Sequence, residues 1–140
     1  MATNAIFLDI DAESFDRVIA VNLKGTFDCC QAVVPHMVAA GWGRIVNISS
    51  SSAQGGQQYM VHYVSSKAGL IGMTKALALE FGPKGITVNT IPPGFVDTPM
   101  TDTSVEAIVA RTGRTPEQVR AILTAKQPIA RLITVDEVAD

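Results

Sequence analysis

Tyr63 and Lys67 stand four residues apart at the front of a long apolar-rich segment, and Ser50 lies thirteen residues before Tyr63. Ser50 follows directly on the run RIVNIS (Arg44–Ser49), which reads as a strand. A helix over Met60–Phe81 puts Tyr63 and Lys67 on one face, one turn apart. A serine hydroxyl at a strand end can then meet a phenol and an ammonium above a sheet. A phenol is a poor acid–base catalyst near neutrality, because its unperturbed pKa is about 10, and a neighbouring ammonium favours the phenolate. Ser50 can hydrogen-bond a carbonyl or alkoxide oxygen and hold it near the phenol. Together these groups suit proton transfer to an oxygen while a hydride moves at the attached carbon. No side chain supplies a hydride, so a cofactor has to. Taken alone, Tyr and Lys at this spacing occur on many helices by chance. A packed Tyr and a snorkelling, solvated Lys then account for them more simply.

The elements that must position these groups are legible. Asp11 reads as an N-cap for a helix with apolar residues at Phe15, Val18, Ile19, Leu23, Phe27, Ala32, Val33 and Met37, stopping near Ala40 at Gly41. Gly25 marks a bend within it, and Pro35 costs it a hydrogen bond. In Arg44–Ser49, Ile45, Val46 and Ile48 are nearly continuous, which predicts burial on both faces of a parallel sheet. Ser50–Gln58 is a polar loop. Met60–Phe81 carries apolar residues all round its axis (Leu70, Ile71, Met73, Leu77, Leu79, Phe81), so it should be covered on most sides, one against the sheet and another against a partner. Gly82-Pro83 ends it, and Ile86–Ile91 forms a second buried strand stopped by Pro92-Pro93-Gly94. Strand, helix and strand make a βαβ unit. Beyond it, Val105–Ala110 and Pro116–Lys126 read as two short helices, the second capped by Thr115, and Thr134–Asp140 opens another.

The bulk properties bound the rest. A chain of 140 residues, 47% apolar and 17% charged, supports one globular domain with a hydrophobic core. Its net charge of -2, with no basic cluster, gives no electrostatic reason to expect nucleic acid. No apolar run reaches the roughly 18 residues of a membrane-spanning helix. MATNAIFLDID has no basic region before an apolar one and does not read as a signal peptide, so the expected address is cytoplasmic. Adjacent Cys29 and Cys30 form neither a CxxC pair nor a metal spacing and are expected as reduced, buried helix thiols; no metal site is expected. His36 and His62 lack an acidic partner at a telling spacing and read as core or surface residues, and the paired glycines Gly41/Gly43 and Gly55/Gly56 read as turns.

Five motifs shift the odds for the Tyr/Lys pair. Asn22 in VNLKG, Ser50 after GRIVNIS, Tyr63-Val-Ser-Ser-Lys67-Ala-Gly, Gly85-Ile-Thr-Val-Asn89 and Pro93-Gly94-Phe-Val-Asp-Thr98 together resemble the short-chain dehydrogenase/reductase family, in order and in spacing. The likeness runs from about Phe7 to Val138 and is nearest to the branch holding 3-oxoacyl-carrier-protein reductases. It implies Tyr63 as acid/base, Lys67 as the group that tunes it and holds the nicotinamide ribose, and Ser50 as the group orienting the substrate oxygen. It implies that Asn22 bends its helix and holds a water linking Lys67 to solvent. Asn22 taken alone reads equally as an ordinary helix-bend residue, and Thr98 as a cap. Pro93, Gly94, Val96 and Thr98 would line the nicotinamide of NAD or NADP. Residues 99–130 would form a flap over a medium-sized, fairly apolar ketone or alcohol.

The family's glycine-rich phosphate-binding turn is not found here; no GxxxGxG occurs, and the residue that would choose between NAD and NADP is missing with it. Asn4-Ala5 resembles the family's NNAG motif but lacks its glycine and lies too close to Asn22. The resemblance thus implies an α/β chain, 1–140, with a partial Rossmann-like doubly wound parallel sheet lacking its N-terminal strands and its last strand. It implies a homodimer or homotetramer built through the two long helices. Two other readings stay open: a non-enzymatic chain that only associates with full-length relatives, and a dehydratase or epimerase using the same Tyr/Lys pair.

Overall fold

Asp11 starts the first long helix. Its carboxylate accepts from the Ser14 backbone N–H at 2.7 Å, so α1 (Ala12–Ile19) opens where the sequence predicts. In the computed structural model, which describes residues 4–140, α1 continues through a π-helical turn (Ala20–Lys24) into α2 (Gly25–Ala40). The irregularity predicted at Gly25 is this π turn, which ends there: the Gly25 N–H reaches the Ala20 carbonyl, five residues back. The helix passes through Pro35 and stops at Gly41 in the left-handed region (φ 64°).

β1 (Gly43–Ile48) and β2 (Ile86–Ile91) pair in parallel, from Gly43 opposite Ile86 to Ile48 opposite Ile91. The crossover between them is α3 (Ser52–Gly55), a single turn inside the segment expected as loop, and the long α4 (Val61–Phe81). Helices α2 and α4 cover one face of this pair. There Cys30, Val34, Ile45, Ile86 and Val88 form the core, with Met37, Met73, Leu77, Ala78 and Phe81 packed on it. Burial on both faces was the expectation, and the strands instead alternate: Ile45 and Val88 point in, while Val46 (54% exposed), Ile48 and Ile91 point out. A pleated strand sends alternate side chains to opposite faces, and only one face is covered among the described residues.

Helix α4 departs from its expected coverage in the same way. Its buried stripe is His62, Ser66, Leu70 and Thr74, four residues apart and polar at all but Leu70, while Leu79 is 83% exposed. Cys30 is buried but Cys29 is exposed, because neighbours on a helix point about 100° apart and only one can face the sheet.

The described residues group into two compact units, the first ending at Pro92 and the second running from Pro93 to Asp140. The second holds α5 (Pro99–Thr112), α6 (Pro116–Ala125) and α7 (Val135–Ala139). Helix α5 begins six residues before the expected Val105, since Pro99 carries a preset helical φ at its first position. Val105, Val119 and Leu123 make this unit's core, against Phe95, Ile108 and Val109. Capping boxes open α6 (Thr115 with Gln118) and α7 (Thr134 with Glu137).

Gly85 and Gly41 both have positive φ, but only Gly85 lies in a tight place: a Cβ there would sit 2.2 Å from the Gly41 carbonyl oxygen. Gly41→Ala should cost roughly the 1–2 kcal/mol of a left-handed non-glycine residue, and Gly85→Ala clearly more, read as midpoints of urea unfolding. In the second unit Glu137 accepts two bonds from Arg131 (2.6 and 2.8 Å), which with the Thr134 N–H hold its carboxyl down at about 2. Its folded pKa lies below its unfolded one, so this contribution to stability is complete above pH 4.5 and is lost as pH falls through about 2. An NMR titration of the Glu137 carboxyl carbon should have its midpoint near 2, and in Arg131→Met the midpoint should rise toward the usual glutamate value while the Thr134 bonds keep it below.

Candidate active site

The site is built where β1 ends. Ser49 and Ser50 follow its last residue, and α4 lies alongside, so side chains from the first two turns of α4 meet the strand's C-terminal end. The join is reciprocal. Lys67 Nζ donates to the Ile48 carbonyl at 2.8 Å, and Ser49 Oγ donates to the Lys67 carbonyl at 2.8 Å. Two turns further along, Asn47 Nδ2 donates to Thr74 Oγ1 at 2.8 Å, a fully buried bond. These three bonds set the register of α4 against β1.

Tyr63 and Lys67 share a face of α4 as the spacing predicts, with Lys67 Nζ 5.9 Å from the Tyr63 ring centroid, within cation–π range. Lys67 is half-buried, and that desolvation lowers its pKa from the ordinary lysine value. Asn22 sits in the middle of the π turn. Its Nδ2 donates to Ser66 Oγ at 3.1 Å, and Ser66 Oγ donates in turn to the Tyr63 carbonyl at 2.7 Å. The Asn22 carbonyl accepts from Thr26 Oγ1 at 2.9 Å. Asn22 is therefore more than a bend: one buried serine ties it to the backbone of Tyr63. Ser50 Oγ lies 2.8 Å from Ser52 Oγ, at the start of α3. Asn22, Ser50, Tyr63 and Lys67 all belong to the first unit.

Pro93, Gly94, Val96 and Thr98 belong to the second unit, which begins just past the end of β2. Their loop is held from within. Gln127 Oε1 accepts from the Phe95 N–H at 2.9 Å and Nε2 donates to the Arg131 carbonyl at 2.6 Å. Val96 forms a parallel bridge with Ile133. A Cβ on Gly94 would lie 2.1 Å from Gln127 Oε1, so the loop's glycine admits this side chain. Thr98 precedes α5 as its N-cap by position, yet its hydroxyl makes no capping bond and only a long 3.5 Å contact to the Val96 carbonyl. Thr101, one turn on, takes that carbonyl instead at 2.5 Å.

The residues present suit the nicotinamide end of a dinucleotide. Lys67, with the Tyr63 ring beside it, reaches the C-terminal end of a parallel strand, and Ser50 lies two residues past that end, where open α/β sheets bind ligands. No glycine-rich phosphate cradle accompanies them. His62, beside Tyr63, is 2% exposed, and its Nδ1 has no hydrogen-bond partner among the described residues. Among those residues no three His, Cys, Asp or Glu cluster as a metal site would, and no helix is long and apolar enough to cross a membrane. Sequence reading missed Ser52, Ser66, Thr74 and Gln127. Ser66 alone left a signal, standing three residues after Tyr63 and so on its side of the helix.

Comparison with known proteins identifies the family. The family model for short chain dehydrogenases matches residues 1–132. D-beta-hydroxybutyrate dehydrogenase of Rhizobium meliloti is 39% identical over 132 residues, covering 94% of this chain and 51% of that protein. The 3-oxoacyl-acyl-carrier-protein reductase of Thermotoga maritima is 39% identical over 136 residues, covering 97% and 51%. Among solved structures, actinorhodin polyketide ketoreductase with NADPH superposes with a TM-score of 0.92 at 35% identity, over 99% of this chain and 54% of that one. NAD+-bound xylitol dehydrogenase gives 0.90 at 30%, over 98% and 55%. The chain thus spans about half the length of the relatives it matches. On motifs, fold and family match together, it belongs to the short-chain dehydrogenase family.

Proposed function

We propose that this chain carries the catalytic half of an NAD- or NADP-dependent oxidoreductase that interconverts a ketone and a secondary alcohol. The observation that carries the reading is the clustering at one strand end: Tyr63 and Lys67 on one face of α4, docked at Ile48, with Ser50 two residues beyond. In the reducing direction the Tyr63 hydroxyl donates its proton to the carbonyl oxygen, and in the oxidising direction it takes the proton from the alcohol. Ser50 donates to the same oxygen and fixes it beside the phenol. Lys67, held at the Ile48 carbonyl, keeps an ammonium next to the Tyr63 ring and offers further donors to ribose hydroxyls. Asn22, anchored through Ser66, holds a water that passes protons between Lys67 and solvent. When bound, the nicotinamide supplies or accepts the hydride. The resemblance assigns Pro93, Gly94, Val96 and Thr98 to the nicotinamide as well, the last two through its carboxamide; the Thr98 hydroxyl, not committed to a cap, is available for that role.

The use of NAD or NADP rests on the resemblance and on the nucleotides that two structural relatives hold. The resemblance assigns residues 99–130 to a substrate flap, and their apolar side chains suit a medium-sized, fairly apolar carbonyl compound. A second copy of the chain docks along α2 and α4. A cavity of about 400 Å³ opens there between Phe27, Val34, Val38, Leu77 and Phe81. Glu80 and Gln31 add polar groups to its lining. The half-length match favours one other reading, in which the chain only associates through this face and turns nothing over.

Titrating the purified chain with NADH and with NADPH, by nucleotide fluorescence, separates the two. Saturable binding supports the catalytic reading; none from a folded chain supports association alone. In the catalytic reading Tyr63→Phe lowers ketone turnover at least about 100-fold with nucleotide affinity nearly unchanged. Unchanged turnover would overturn the Tyr63 assignment. Lys67→Met should weaken nucleotide binding and also lower the melting midpoint by circular dichroism, because it leaves the Ile48 carbonyl without its donor. Replacing Phe27 with Glu, at the rim of the helical face, should shift sedimentation toward the monomer.

A further inference from the structure

We infer that Ser52 is a positioning residue that aims the Ser50 hydroxyl at the substrate oxygen. The inference rests on the assignment of Ser50 above. A serine hydroxyl has one proton and two lone pairs. Ser50 Oγ lies 2.8 Å from Ser52 Oγ, and the Ser52 backbone N–H points at Ser50 Oγ from 3.3 Å. Either hydroxyl can be the donor of the short contact. If Ser50 gives its proton to Ser52, it has none left for a substrate oxygen. If Ser52 is the donor, Ser50 Oγ accepts from both the hydroxyl and the N–H of one residue. Its lone pairs are then occupied and its own proton is directed outward. Binding of a carbonyl selects the second arrangement, giving a relay from Ser52 O–H to Ser50 O–H to the substrate oxygen. Each bond in such a chain polarises the next.

The local structure supports this division of labour. Ser52 is 8% exposed, so water competes little for its hydroxyl, whereas Ser50 is only part-buried. Ser52 also opens α3, a single turn tied by Ala53 N–H to the Ser50 carbonyl (3.0 Å) and Gly56 N–H to the Ser52 carbonyl (2.8 Å). Backbone and side chain of Ser52 thus fix one another. Ser50 Oγ has no other side-chain partner among the hydrogen bonds of the described residues.

Two nearly isosteric variants isolate the hydroxyl. Ser52→Thr keeps it and adds a methyl, and Ser52→Val has the shape of threonine without it. The first readout needs no turnover: the three-bond couplings that report the Ser50 χ1 angle, by NMR on the whole chain. The parent chain and Ser52→Thr should hold Ser50 in one rotamer, and Ser52→Val should show averaging. The second is steady-state reduction of a ketone by the preferred nucleotide, where Ser52→Val should lose about three- to tenfold in kcat/KM. Ser52→Thr should stay within twofold of the parent, and nucleotide affinity should be the same in all three. Equal Ser50 couplings in Ser52→Thr and Ser52→Val overturn the inference, as do equal kcat/KM values. Ser50→Ala is the control for the underlying reading. If it turns over normally, the Ser50 assignment fails; if it is inactive while Ser52→Val matches Ser52→Thr, only the role of Ser52 fails.

Discussion

The site depends on a reciprocal clasp between one residue of α4 and the end of β1. Lys67 donates its ammonium to the Ile48 carbonyl, and its own carbonyl accepts from Ser49. A parallel strand's last carbonyl has no partner further along its own chain, and a helix side chain would otherwise be free to choose among rotamers. Each supplies what the other lacks. Once this clasp is made, Tyr63 is placed one turn before it and Ser50 one residue after Ser49, with no further freedom in the chain. The buried bond from Asn47 to Thr74 adds a second fixed point, so α4 can neither slide nor roll against the strand. That same clasp takes a cation partly out of water, which lowers the Lys67 pKa.

Much of this was legible in the sequence, for reasons that differ by residue. The Tyr63/Lys67 face follows from helical periodicity, and the caps at Asp11 and Thr115 from side chains that can satisfy open N–H groups. The π turn was visible only as a misplaced Gly25, because nothing in a one-letter pattern distinguishes a bend from an extra residue in a turn. The buried polar stripe of α4 was hidden for the opposite reason. His62 read as core or surface alike, and nothing singled out Ser66 or Thr74, whose partners Asn22 and Asn47 come from elsewhere in the chain. Strand burial was misjudged because a run of Ile and Val states how much apolar surface exists and not how much of it is covered.

The loop from Pro93 to Thr98 gives a third kind of case. Its motif was recognised by resemblance, but what holds it was not. The Gln127 amide meets both the N–H and the carbonyl side of Phe95, as a neighbouring strand would. One side chain thereby stands in for a stretch of ladder, and the close fit to Gly94 explains why a larger residue has no room there. Long-range side-chain-to-backbone bonds of this kind leave no periodic trace.

The π turn at Ala20–Lys24 also bears on how the chain can change in length. An extra residue in a helical turn rotates everything before it by about 100° relative to everything after it. With that offset, Val18 and Asn22 face α4 while Cys30 and Val34 face the strands. Deleting any one residue of the turn would leave a more regular helix, but with α1 swung away from α4 and Asn22 parted from Ser66. Most of these five residues can be exchanged for others, yet their number cannot. Insertions and deletions that a surface loop would absorb are therefore closed to this stretch, and any tolerated change in length has to fall outside it.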